Sequence, residues 1–125
     1  MNGRYAVARL DRDDAIPSWP RGELVSITRT NDELSIVCGE EAVPDDVRAE
    51  RGWRCLSVIG PLPFAMTGVA AALTAPLAEA RISVFLLSTY DTDYLMVKDE
   101  TFDHACEVLR AAGHVFSGAP SPAIS

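Results

Sequence analysis

Residues 84–101 read VFLLSTYDTDYLMVKDET, and residues 24–41 read LVSITRTNDELSIVCGEE. Laid over one another without a gap, at an offset of sixty, both run through an apolar strand, a turn of hydroxyls and acids, a second apolar strand and an acidic lead into a helix. Identities are few, notably Val37 with Val97 and Glu40 with Glu100, so the repeated pattern carries the argument. The second copy sets Ser88, Thr89, Tyr90, Asp91, Thr92 and Asp93 between two core-like runs. Either this is a hairpin tip whose side chains bond nearby backbone, or it is one wall of a pocket for a small charged ligand.

Working outward, each copy continues into a helix candidate closed by glycine: Pro44 to Arg51 before Gly52, and Thr101 to Ala112 before Gly113. In the second helix Phe102, Ala105, Cys106, Leu109 and Ala112 make one apolar stripe, and Asp99, Glu100 and Asp103 suit the positive N-terminal end. Strand candidates follow both glycines, from Trp53 and from His114, and YAVARL from Tyr5 opens the first copy. The Trp53 strand closes one copy and opens the next. Between it and the second hairpin, Val69, Leu73 and Leu77 step by four along another helix, with Thr67 as N-cap and Pro76 expected to kink or split it. The first copy has only DRDDAIPSWPRG there, which predicts an irregular turn with Ile16 and Trp19 covering the sheet.

The expected fold is therefore α+β: two ferredoxin-like (βαββαβ) units, the first with a degenerate first helix, packed as one compact body. The units span 1–58 and 53–117, with strand 53–59 shared, and 118–125 forms a flexible tail.

Composition excludes several function classes. With 125 residues, 48% hydrophobic and 23% charged, the chain can bury a core and is not disordered. A net charge of −7 without a Lys/Arg cluster offers nothing to nucleic acid or an anionic membrane. No signal peptide or membrane-length apolar run is visible, and a cytoplasmic location is expected. Cys38, Cys55 and Cys106 form no C-x-x-C pair and read as core residues, Cys38 less clearly than the others. His104 and His114 stand without partners at ligand or triad spacing, so neither a metal site nor a cofactor is expected. No nucleophile elbow, P-loop, zinc-hydrolase helix or dinucleotide fingerprint occurs, so no catalytic residue is assigned and the chain is not expected to be an enzyme.

The stretch GPLPFAMTGVAAALTAPLAEARISVFLLSTYDTDYLMV, residues 60–97, resembles an ACT domain, the regulatory module of aspartate kinases and other amino-acid enzymes. ISVFLLSTYDTDY and the T-x-x-E-L-S-I-V pattern of Thr30 to Val37 resemble more narrowly the small free-standing bacterial proteins with tandem ACT units, related to the ACT repeats of the cytosolic arginine sensor. The resemblance implies a regulatory protein holding an amino-acid-type metabolite near Gly60, Pro61, Leu62, Phe64, Thr67 and Gly68, faced by Ser88 and Thr89. It also implies a homodimer. Residue chemistry agrees with that place: backbone N–H groups at a helix start suit a carboxylate, and Asp91 or Asp93 suits an ammonium. The shortened first copy leaves no clear equivalent pocket. The rival reading is an interaction module that dimerises through sheet edges or helix faces and binds no metabolite.

Overall fold

The computed structural model describes residues 3–58, 69–117 and 123–124. Two compact units emerge, Gly3–Trp53 and Arg54 onward. Both are built on antiparallel sheet with few helices.

The first unit has strands β1 (Tyr5–Leu10), β2 (Ser26–Arg29), β3 (Leu34–Gly39) and the first half of β4 (Ala49–Val58), in the order β2-β3-β1-β4. Alternation sends Ala6 and Ala8 of β1, and Ile36 and Cys38 of β3, to one face, where they form a core with Ala42 and Val43. Those side chains are mostly small, and a loop rather than a helix covers them. Trp19 packs there half-buried as expected, whereas Ile16 is 58% exposed and covers nothing.

The helix expected over Pro44 to Arg51 does not form. A single 3-10 turn at Glu40–Ala42 and one bend, with Val47 N–H donating to Pro44 O at 3.1 Å, lead straight into β4. With only Val47 and Ala49 as apolar residues after Pro44, the segment has no stripe to offset the cost of a helical nucleus. The Arg51 guanidinium takes the place of further turns by donating to Pro44 O at 3.0 Å and Glu40 O at 3.4 Å. Gly52 is accordingly no helix stop. Its φ of +80° lies in the β4 bulge where the register shifts from Val7↔Glu50 to Tyr5↔Trp53, and its N–H donates to Glu40 Oε1 at 2.7 Å.

In the second unit the rest of β4 is followed by α1 (Val69–Glu79), β5 (Val84–Ser88), β6 (Asp93–Lys98), a 3-10 turn at Asp99–Thr101 and α2 (Phe102–Ala111). Short strands β7 (Phe116–Ser117) and β8 (Ala123–Ile124) complete it. The order is β4-β6-β5, with β8 joining β4 in parallel and β7 pairing with β8. Residues 123–124, in the segment expected to be a tail, thus belong to the sheet. Both helices pack on one face through Leu73, Leu77 and Leu109 against Leu56, Val58, Leu95 and Val97. Arg54 bridges β4 to the start of α2, 3.2 Å from Asp99 Oδ1 and 4.1 Å from the Phe102 ring centre.

Pro76 leaves α1 in one piece. Its missing N–H would have bonded the carbonyl of Ala72, and that carbonyl instead accepts from His114 Nε2 at 2.9 Å. Both helices end in the same motif. After α2, Gly113 N–H donates to Arg110 O and His114 N–H to Leu109 O, with Gly113 at φ +98° as expected. After α1, Arg81 N–H donates to Ala78 O and Ile82 N–H to Leu77 O, but the left-handed position is held by Arg81 at φ +61°. Arg81 is exposed, so Arg81→Gly should relieve the strain and raise unfolding stability by about 0.5–1 kcal/mol, measured by urea titration.

The offset of sixty is one residue too long. The two 3-10 turns align Glu40 with Asp99 and Ala42 with Thr101, an offset of fifty-nine, and the core residues Ile36 and Cys38 then match Leu95 and Val97. At sixty, Val37 meets Val97 although the two face opposite sides of their sheets, the signature of a one-residue slip in a strand.

Candidate functional site

Four of the ten expected ligand-binding residues fall on the β5–β6 hairpin. The other six, Gly60, Pro61, Leu62, Phe64, Thr67 and Gly68, lie outside the described residues. Thr89 N–H donates to Thr92 O at 2.8 Å, the Thr89 hydroxyl donates to the same carbonyl at 3.1 Å, and Thr92 N–H donates to Thr89 Oγ1 at 3.2 Å. The β2–β3 hairpin has the same closure: Thr30 N–H meets Glu33 O at 2.8 Å and Glu33 N–H meets Thr30 Oγ1 at 3.2 Å. A threonine therefore builds each turn, and the carboxylates do not.

That separates the two aspartates. Asp91 aligns with Asp32, and both sit exposed at their hairpin tips, as turn chemistry alone would place them. Asp93 aligns with Leu34, which is fully buried on the core side of β3. It shares the helix-covered face of β6 with Leu95 and Val97, half-buried and opposite Ser88. Among the described residues neither the Asp91 nor the Asp93 carboxylate has a hydrogen-bond or ion-pair partner. A half-buried carboxylate at a position filled by leucine in the other hairpin is available for a cation or a donor. Tyr90 is 80% exposed, while Tyr94 is half-buried and packs across strands opposite Leu87.

The cysteines are core residues. Cys38, Cys55 and Cys106 are buried thiols, including the strand-end Cys38, which is fully covered. Burial raises the Cys38 and Cys106 pKa above the ordinary 9.0, outweighing the nearby arginines. A raised thiol pKa stabilises the folded chain below 9.0, and that contribution is lost as pH climbs through the folded value. Melting temperature should therefore fall above pH 9.0, more steeply than in Cys38→Ala. All three thiols should react with an aromatic disulfide reagent only after unfolding. No group of three or more His, Cys, Asp or Glu among the described residues could hold a metal ion, and no helix there is long and apolar enough to cross a membrane.

Known proteins match this geometry in three ways. The family model for the ACT domain matches residues 48–111, and a second model, described as an N-terminal domain, matches residues 3–46. The Bos taurus protein "Cytosolic arginine sensor for mTORC1 subunit 1" is 32% identical over 96 residues, covering 68% of this chain and 29% of the sensor. This chain thus spans well under two thirds of the curated relatives it matches. Protein Atu0741 from Agobacterium tumefaciens superposes with a TM-score of 0.82 at 42% identity, covering 90% of this chain and 84% of that one. The Clostridium acetobutylicum aspartate kinase shares the fold at a TM-score of 0.60 and 12% identity, over 89% of this chain and 33% of the kinase.

Proposed function

Because the chain belongs to the ACT-domain family, we propose that it is a non-catalytic regulatory protein that binds a small amino-acid-type effector. The observation carrying this reading is the ACT match, which spans more than half of the chain. In this reading residues 1–58 and 53–117 are two ACT-type units sharing strand 53–59. The recurrence of one threonine-closed hairpin and one 3-10 turn at an offset of fifty-nine supports the duplication. The protein works in the cytoplasm, as a homodimer.

The effector lies between the chain leaving β4 and the β5–β6 hairpin. β4 and β5 flank β6, and in the ferredoxin-like plan those two strands run the same way, so that β4 ends where β5 turns. Gly60, Pro61, Leu62, Phe64, Thr67 and Gly68 supply one wall, and the N–H groups opening α1 receive the carboxylate. Ser88, Thr89 and Asp93 supply the other, with Asp93 taking the ammonium and Asp91 at the rim. The cattle relative is an arginine sensor by name, which makes arginine the first effector to try.

A second reading, an interaction module without a metabolite, draws on β5. It ends the strand order, and Leu86 and Tyr90 beside that edge are 37% and 80% exposed. A thermal-shift screen of the common amino acids separates the two, because a ligand that binds only the folded state raises its apparent stability. Concentration-dependent stabilisation is expected. A flat screen together with a dimer in solution scattering would transfer the function to the edge.

A further inference from the structure

A groove of about 220 Å³ opens on the outer face of the first unit, across β3, β1 and β4 and away from the Ala6–Ile36 core. Its lining joins two arginines and two glutamates over a small apolar floor. We propose that this groove is a binding site for a small zwitterion, a molecule carrying one carboxylate and one ammonium. The site is separate from the hairpin of the second unit and does not depend on the effector reading given for it.

Strand register builds the groove. Val7 pairs with Glu50 and Ala8 with Ala49, and continuing that register sets Arg9 opposite Arg48, whose carbonyl accepts the Arg9 N–H at 2.9 Å. On the other side of β1, Arg9 pairs with Ser35. One cross-strand row thus reads Ser35, Arg9, Arg48, with the half-buried Val7 one pleat away.

Like charges set directly opposite on a sheet repel, and an anion seated between them converts that repulsion into two attractions. The Arg9 guanidinium is already oriented, since its Nη2 donates to Asp32 O at 3.1 Å and its other donors remain for a ligand. Arg48 is exposed and closes on the same space.

Glu33 fixes the second half of the ligand. β3 and β4 each run antiparallel to β1 and therefore parallel to one another. Glu33 precedes Ser35 on one side of the arginine row, and Glu50 follows Arg48 on the other. A carboxylate seated between the guanidiniums has Glu33 one pleat away for its ammonium. The volume is below that of a drug-sized pocket and suits a single amino acid with its side chain on Val7.

The test is an amide-shift titration of the full chain with L-leucine as probe. Controls are 4-methylpentanoate, which keeps the carboxylate alone, and L-leucinamide, which keeps the ammonium alone. L-leucine should displace the Val7, Arg9, Ser35 and Glu50 amides saturably, and each control should bind at least about tenfold more weakly, the worth of one charge-assisted hydrogen bond. Arg48→Ala and Arg48→Gln, both at an exposed position, should lose the response while the remaining spectrum stays put. The proposal is overturned if these amides stay unmoved at saturating probe, if 4-methylpentanoate moves them as strongly, or if both Arg48 variants respond like the parent.

Discussion

Leu95→Ala is expected to lower the free energy of unfolding by about 3 kcal/mol, read from the urea midpoint at unchanged slope. Leu95 is fully buried among Leu56, Leu73, Leu77 and Leu109, at the point where both helices meet the sheet. Truncation removes the transfer free energy of the lost carbons and leaves a cavity that helices anchored at Leu73 and Leu109 cannot collapse into. Its cross-strand partner Leu86, 37% exposed on β5, is the control, and Leu86→Ala should cost less than about 1 kcal/mol. Ile36, which aligns with Leu95 at an offset of fifty-nine and is equally buried, should behave like Leu95 when cut to alanine. Ser35, its partner at sixty, should not. Equal losses at Leu86 and Leu95 would mean that the helices cover the edge strand β5 as fully as β6.

Gly22→Val should cost about as much, roughly 3 kcal/mol, by a different route. Gly22 has φ +135°, a backbone region open to glycine alone, and a Cβ there would stand 3.0 Å from the Gly39 nitrogen. That nitrogen donates to Arg21 O at 2.9 Å, so the segment covering the first unit is stitched backbone to backbone onto the end of β3. Valine adds strain and breaks the stitch. Gly39→Ala meets Arg21 O at 3.0 Å without a positive φ, and should cost measurably less. Chemical denaturation with circular dichroism checks the order, and a neutral Gly22→Val would refute the close crossing.

The contrast between these sites shows what the sequence carries in legible form. α2 was readable to within a residue or so, because its apolar stripe and Gly113 state the period and the stop in neighbouring positions. The hairpins were readable as patterns but not in register. The identities that set the register, Thr30 with Thr89, Asp32 with Asp91 and Glu41 with Glu100, are present in the chain, yet Val37 with Val97 and Glu40 with Glu100 compete one residue away. The burial of Ile36 and Leu95, the matching 3-10 turns and the threonine-closed hairpins decide between them. The helix expected over Pro44 to Arg51 failed because Gly52 is ambiguous: a glycine needing positive φ ends helices and forms bulges alike, and the Glu40 carboxylate that accepts its N–H is twelve residues away.

The candidate site was legible in part for the same reason. Ser88 and Asp93 were identifiable as polar residues at a strand end, but only pairing reveals that they share the helix-covered face. The role of Thr89 as the builder of its own turn, and the match of Asp91 to an ordinary tip residue, needed the second hairpin for comparison. The polar island is a turn closed by threonine, to which one carboxylate, Asp93, has been added that the turn does not require.

Hydrogen–deuterium exchange with and without the common amino acids at millimolar concentration tests the regulatory reading most directly. Slower exchange is expected in residues 88–93 and 60–68 together, with the rest of the chain little changed. Unaltered exchange in both segments, under saturating amino acid, would contradict it.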